Sequence, residues 1–134
     1  MIFLDTSVLV AYIVNKDSNH EKAVRLIDDI IAGKYGSTVT SDYVFDETVT
    51  VVLVRTKSLE SAITSGQLIK ESMDILSVND IVFENAWKLF KNQESARFSF
   101  TDCTILALIS ANHIENLATF DKELGGANFY QTIR

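Results

Sequence analysis

Four acidic residues are placed where they could act together. Asp5 closes the apolar run Met1 to Leu4, and Asp121 closes Leu117 to Phe120. Asp102 opens a very apolar stretch, and Glu47 lies shortly after the segment Ser37 to Thr40. Hydroxyl side chains flank them: Thr6 and Ser7 behind Asp5, Thr101 ahead of Asp102, and Thr119 ahead of Asp121. Carboxylates that converge without cysteine or a nearby histidine select hard divalent cations, Mg²⁺ or Mn²⁺. One such ion acidifies a water for attack, and a second about 3.5–4 Å away stabilises a leaving oxygen. Phosphodiester hydrolysis is the chemistry that suits such a cluster.

Each acid also has a structural explanation. Asp5 can cap the helix that follows, and Ser99-x-x-Asp102 fits a capping box on the positive end of a helix dipole. Asp121 can be a turn residue, and Glu47 a solvated helix position. Capping alone does not explain why acidic residues mark the same end of separate strands. The remaining reactive side chains are poorer candidates. His20 and His113 fall near helix ends, Cys103 sits in an apolar helix, and Ser7 has no evident histidine base. No glycine-rich phosphate loop occurs, which disfavours a nucleotide-binding ATPase.

The elements that must position these residues follow from periodicity. Met1 to Leu4 reads as a buried strand, followed by a helix through Val14. Ser18-x-x-Glu21 reads as a capping box opening a helix with apolar residues Ala23, Val24, Leu26, Ile27, Ile30 and Ile31. Gly33 to Gly36 ends it, and Ser37 to Thr40 is a second strand. Ser41 can cap Asp42 to Thr56. The β-branched run Val49 to Val54 argues for a strand there, but about fifteen residues favour a helix. Ser58 to Glu71 is the next helix and Ile75 to Val78 a strand. Asp80 to Lys91 is a helix with Val82, Phe83, Ala86, Leu89 and Phe90 expected on its buried side. Phe100 to His113 is an apolar helix, Asn116 to Phe120 a strand, and Phe129 to Ile133 a last one. Strands alternating with helices predict a three-layer α/β/α fold with a mostly parallel sheet. Sites in such sheets form at the carboxyl ends of the strands.

A chain of 134 residues, 47% hydrophobic and 22% charged, has the size and core of one domain, expected to span residues 1–134. The absence of proline, repeats or a Gly/Ser-rich run gives no linker. The longest apolar run, Val8 to Val14, is far short of the roughly 20 residues of a membrane span. No secretory leader is expected, and a single cysteine excludes an internal disulfide, so a cytoplasmic location is expected. The net charge of −6 disfavours non-specific attachment to nucleic acid or anionic lipid. Acids that converge on a cation nevertheless make a locally electropositive site once it is bound.

Ile2-Phe3-Leu4-Asp5-Thr6-Ser7, the acidic position Glu47, Phe100-Thr101-Asp102-Cys103-Thr104 and Leu117-Ala118-Thr119-Phe120-Asp121 resemble the PIN-domain family in order and spacing. The likeness runs from Ile2 to Leu124 and is greatest to VapC-like toxins, the ribonuclease halves of toxin–antitoxin pairs. It implies that Asp5, Glu47, Asp102 and Asp121 are the catalytic, metal-binding acids, with Mg²⁺ or Mn²⁺ as cofactor. It further implies that Thr6, Thr101 and Thr119 are supporting hydroxyls that orient carboxylates or water. Asp46 adjoins Glu47, and the apolar character of this helix does not choose which of them faces the site. Leu124 stands where many members carry phenylalanine, which bears on packing.

The resemblance implies a metal-dependent endoribonuclease with an RNA substrate and a cognate antitoxin as partner. A homodimer is expected because Val8–Val14 and Val49–Val54 carry more apolar surface than a monomer easily covers. Lys16, Arg55, Lys57, Lys88, Lys91, Arg97 and Lys122 are candidate phosphate contacts. Alternatives are a non-toxin RNA-processing nuclease and a catalytically silent RNA-binding scaffold of the same fold. A haloacid-dehalogenase-like phosphatase would need an acid where Ser7 stands. A receiver domain would need paired acids after the first strand and a lysine ending a late strand.

Overall fold

The computed structural model describes residues 1–127 and 130–134. Its sheet is built from β1 (Ile2–Leu4), β2 (Thr38–Ser41), β3 (Asp74–Leu76), β4 (Asn116–Ala118) and β5 (Gln131–Ile133). The strand order is β3-β2-β1-β4-β5, and each neighbouring pair is parallel. β1 is therefore central. Ile2, Phe3 and Leu4 are completely buried, as a strand covered on both faces requires. Each such side chain contributes about 1.5–3 kcal/mol relative to an exposed one.

The helices are α1 (Thr6–Ile13), α2 (His20–Ile31), α3 (Asp42–Thr56), α4 (Leu59–Ser72), α5 (Asp80–Lys91), α6 (Phe100–Asn112) and α7 (Lys122–Gly125). α1 packs on α2 and α3, α3 on α4, and α5 on α6. With the right-handed crossovers that parallel strands require, this strand order assigns α1 to α4 to one face of the sheet and α5 with α6 to the other. This is the expected three-layer fold. Every residue of α6 from Cys103 to Ile109 is buried, so its uniform apolarity matches its place between sheet and α5. No described helix is long and apolar enough to cross a membrane.

From β1 the chain adds β2 and then β3 on one side, then crosses back through α5 and α6 to add β4 and β5 on the other. Ligand crevices of parallel sheets form where the strand order reverses in this way, outside the carboxyl ends of the strands. Asp5 N donates to Ala118 O at 3.1 Å and Thr119 N to Ile133 O at 3.2 Å. These bonds carry the ladder just past the strand ends and set Asp5 beside Thr119.

Several local expectations are met. Ser41 Oγ accepts from Val44 N at 3.1 Å, Ser58 Oγ from Ser61 N at 3.1 Å, and Asn79 Oδ1 from Val82 N at 2.9 Å. α3 is a helix throughout, despite its β-branched run. Others are corrected. Ser18 caps nothing: Asp17 takes the Asn19 amide at 2.9 Å, and His20 Nδ1 meets Ala11 O at 2.8 Å, so α2 starts at His20. The tertiary anchor on α1 outweighs the local box. On α5 only Val82 and Ala86 are buried. Phe83, Leu89 and Phe90 remain 41%, 42% and 37% exposed, because α5 meets α6 along a narrow stripe. Phe83, Trp87 and Phe90 instead gather around the Phe100 ring, with centroids 5.2–6.5 Å from it. The last strand covers Gln131–Ile133, and Phe129 lies outside the described residues.

Candidate active site

Asp5 is the floor of the site. It ends β1, is only 6% exposed, and caps α1 through Oδ1, which accepts from Thr6 N at 2.7 Å. Its Oδ2 accepts from Ser7 Oγ at 2.8 Å and from Thr119 Oγ1 at 2.7 Å. Both hydroxyls are themselves fixed by backbone. Ser7 Oγ accepts from Phe120 N at 2.9 Å, and Thr119 Oγ1 from Asp121 N at 3.0 Å. The turn after β1 and the turn after β4 are thus clasped together through one carboxylate. Ser7 is occupied as a brace, consistent with its weakness as a nucleophile.

Burial pushes the Asp5 carboxyl up. The Thr119 and Ser7 hydroxyls pull it back, and the charge of Asp102 raises it further. Burial likewise raises Glu47, reinforced by the charges of Asp5 and Asp102. The Thr6 and Thr101 hydroxyls act weakly in the opposite sense. Although Glu47 is exposed as a residue, its carboxyl reaches the cleft from the second turn of α3. The charges of Asp5 and Asp102 both act on Glu47, which favours it over the neighbouring Asp46 as the acid of the cleft. Thr6 Oγ1 is buried and makes no hydrogen bond of full geometry, so Glu47 is the group its hydroxyl acts on, and only weakly.

Asp102 and Asp121 stand on helix starts. Asp102 closes a capping box, its Oδ2 accepting from Ser99 N at 2.9 Å while Ser99 Oγ accepts from Asp102 N at 3.0 Å. Burial raises its carboxyl, the Ser99 bonds lower it, and the charge of Asp121 raises it. Asp121 Oδ1 caps α7 by accepting from Leu124 N at 2.8 Å. Both structural explanations for these residues are therefore correct as far as they go. They are incomplete, because the same three aspartates and Glu47 influence one another across a single cleft.

Among the described residues, no three acidic, histidine or cysteine side chains are drawn onto one point. Mutual repulsion and the caps account for that. Asp102 Oδ1 and Asp121 Oδ2 take no hydrogen bond among the described residues, so each keeps an oxygen for a cation. An all-oxygen donor set, with a buried Asp5 at its floor and more open acids around it, fits Mg²⁺ or Mn²⁺ better than zinc. Cys103 is buried and its thiol is raised by burial and by Asp102, so no thiolate is offered.

Two residues of this region carried little signal in the sequence. The Tyr130 hydroxyl donates to Leu124 O. Burial, then Asp102 and Asp5, push it up to about 12, with Arg97 acting the other way and Asp121 adding to the rise. Tyr130 thus backs the acidic cleft from the loop before β5, and no spacing rule could single it out. Arg97, one of seven candidate cations by sequence, lies close enough to this region to act on Tyr130. Arg55 is tied to Asp17 at 2.7 Å at the far end of α3.

A PIN-domain family profile matches residues 2–129. Over 104 residues the chain is 29% identical to a VapC ribonuclease of Archaeoglobus fulgidus. That stretch is 74% of this chain and 64% of the relative, so the chain spans just under two thirds of that protein's length. The structure is similar to that of Mycobacterium tuberculosis VapC20, a sarcin-ricin loop cleaving toxin. The TM-score is 0.85 at 28% identity, covering 98% of each chain. Rickettsia felis VapBC2, solved with a DNA fragment from its promoter, shares the fold at TM-score 0.70 and 14% identity, covering 99% of this chain and 98% of that one.

Proposed function

The chain belongs to the PIN-domain family, and from that premise we propose that it is a divalent-metal-dependent endoribonuclease of the VapC type. The observation that carries this reading is the Asp5 clasp. A carboxylate is held buried at the sheet's switch point by Thr119 and Ser7, facing the charges of Glu47 and Asp102. The clasp alone would serve a scaffold, but a scaffold has no use for Glu47 and Asp102 charges brought up to it. Asp5, Glu47, Asp102 and Asp121 are the proposed metal-holding and catalytic residues, with Thr6, Thr101 and Thr119 supporting them. Mg²⁺ or Mn²⁺ bound there supplies an acidified water and charge neutralisation at the phosphorus. Asp5 and Thr119 set the depth of the site, and the buried floor excludes bulk water from below.

The proposed domain is a single nuclease unit over residues 1–134, working in the cytoplasm on RNA. Its proposed partners are a cognate antitoxin and a second copy. The exposed side chains Leu53, Val54, Leu59 and Ile63 on α3 and α4 are the surface offered to such a contact. Val8, Leu9, Val10, Ala11 and Val14, by contrast, are buried within the chain, so the first helix has little apolar surface left to offer. Defined RNAs incubated with Mn²⁺, Mg²⁺ or chelator and resolved on a gel test the reading. Cleavage that needs metal and is lost in Asp5→Asn supports it. Metal-independent cleavage, or none by the wild type, overturns it.

A further inference from the structure

A polyanion approaching a chain of charge −6 must find a cation at the rim of the acidic cleft. Arg97 stands there, in the loop leading into α6. Its Nε donates to Glu123 Oε2 at 2.8 Å, and its guanidinium lies over the Phe98 ring, 4.7 Å from the centroid. The arginine precedes the helix that carries Asp102, and Glu123 follows Asp121, so the pair spans the two acids. Beside it is a pocket of about 380 Å³ lined by Phe90, Gln93, Ser95, Arg97, Phe98 and Ser99. Ser99 is the residue bonded to the Asp102 carboxylate.

Two features indicate that this arginine is held ready for something other than Glu123. The loop beneath it is rigid, because Gln93 bonds Phe90 O, Phe98 O and Phe98 N. Gly126 has an ordinary φ of −88°, which any residue adopts. A Cβ there would come within 3.3 Å of Arg97 Nη2, so the guanidinium lies close against this turn. The partner, by contrast, is loose. Arg97 and Glu123 are 45% and 59% exposed, and pairs so exposed are worth little, about 0–1 kcal/mol. A phosphate can replace the carboxylate at small cost and gains a fork of N–H donors matched to its geometry.

We propose that Arg97 is a substrate-binding residue that takes an RNA backbone phosphate adjacent to the cleaved one, with Glu123 as its resting partner. The inference rests on the ribonuclease reading above and adds the position of the neighbouring phosphate. The test compares Arg97→Gln, Arg97→Lys and Glu123→Gln with wild type. Binding of a fluorescein-labelled single-stranded RNA in chelator is followed by anisotropy between 50 and 200 mM salt, and cleavage is followed with Mn²⁺.

Arg97→Gln is expected to weaken binding about tenfold. It should also flatten the salt dependence by about 0.7 in log–log slope, the value of one single-strand phosphate contact. KM should rise while kcat changes little, and Arg97→Lys should recover the slope but only part of the affinity. Glu123→Gln should tighten binding, because it removes the competitor. If both Arg97→Gln and Glu123→Gln weaken binding, or the salt slope is unchanged, Arg97 is a brace between the two loops and the proposal is overturned. Wild-type protein that neither binds nor cuts RNA overturns the ribonuclease reading itself, a distinguishable result. Melting temperatures of the variants confirm that each is folded.

Discussion

The two walls of the acidic cleft are built on different principles. On the β1–β4 side, Asp5 is buried and receives three hydrogen bonds, two from hydroxyls that are themselves pinned by backbone amides. On the helix side, Asp102 and Asp121 are half-buried or exposed, and each spends one oxygen on a helix cap. The first wall is fixed by the scaffold before any ligand arrives. The second can turn toward a cation by giving up a bond that water replaces. A site that must bind, react and release needs one group it can rely on and others that can adjust. The difference between the walls predicts how each responds to substitution.

The largest expected effect is at the fixed wall. A metal that binds only the folded protein, present at 100 times its dissociation constant, adds about 2.7 kcal/mol. For a domain of this size that is a rise of about 10 °C in Tm. Asp5→Asn should lose most of this rise and reduce RNA cleavage below detection, as measured by thermal melts with and without Mn²⁺ and by gel assay. An Asp5→Asn variant that keeps both would show that the clasp serves only to hold two turns together.

Thr119→Val sharpens the comparison at the next level. Thr119 is completely buried, and its hydroxyl both donates to Asp5 and accepts from the Asp121 amide. Removing it leaves a buried carboxylate short of a donor and an amide short of an acceptor, at a cost of about 1–3 kcal/mol. Metal affinity or activity should fall about 10–100-fold, as it does when a partner that orients a ligand is lost. Thr119→Ser should restore most of both. Denaturant melts and metal titrations separate the two losses.

The pH dependence distinguishes the walls without mutation. The carboxyls of Asp5, Glu47 and Asp102 are all raised, burial being the first cause in each. Between its unfolded value and its raised folded value, such a group binds more protons folded than unfolded. Stability therefore falls as pH rises through that window and is recovered on mild acidification. Asp17, lowered by its bond to Arg55, acts oppositely, and its contribution is lost as pH falls through its folded value. In chelator, Tm should thus rise on lowering the pH from neutral before it falls at the acid end. With Mn²⁺ the slope near neutrality should reverse, because the ligands must be deprotonated. Asp5→Asn should flatten the metal-free rise. A metal-free Tm that climbs steadily with pH would mean that these carboxyls are stabilised as anions.

Much of the fixed wall was legible in the sequence, because its signals are local. A three-residue apolar strand ending in Asp-Thr-Ser, and another ending in Thr-Phe-Asp, place their polar groups whatever the rest of the chain does. The parallel order then follows from alternation with helices. What was not legible depends on partners far along the chain. Val8–Val14 and Val49–Val54 look alike as apolar runs. The first is nearly all buried between sheet and neighbouring helices, while Leu53 and Val54 of the second are 40% and 67% exposed. Likewise Ser18 has the spacing of a cap, but His20 reaches Ala11 and moves the helix start. The sequence overstates the buried face of α5, because its aromatic residues pack on one another around Phe100 and stay partly exposed instead of entering the core. Tyr130 and Arg97 became visible only with the loops in place.

The smallest expected effect is at the adjustable wall, and it completes the comparison. Asparagine caps a helix about as well as aspartate. Asp102→Asn retains a side-chain oxygen for the Ser99 amide, and Asp121→Asn retains one for the Leu124 amide. In Asp102→Asn a raised, partly buried charge is also removed, which relieves its repulsion with Asp121. Metal-free stability should therefore change by no more than about 0.5 kcal/mol in either variant, with Asp102→Asn the one to gain. Both should nonetheless lose most of the Mn²⁺-induced rise in Tm, since an amide oxygen is a poorer ligand for a hard cation than a carboxylate. Urea melts in chelator and thermal melts with Mn²⁺ measure the two halves separately. If either variant loses more than about 1 kcal/mol without metal, the cap depends on the charge itself and on the helix dipole. The helix-side wall would then be as fixed as the other. If both keep the full response to metal, the cation is held by Asp5 and Glu47 alone, and the helix-side acids serve the fold.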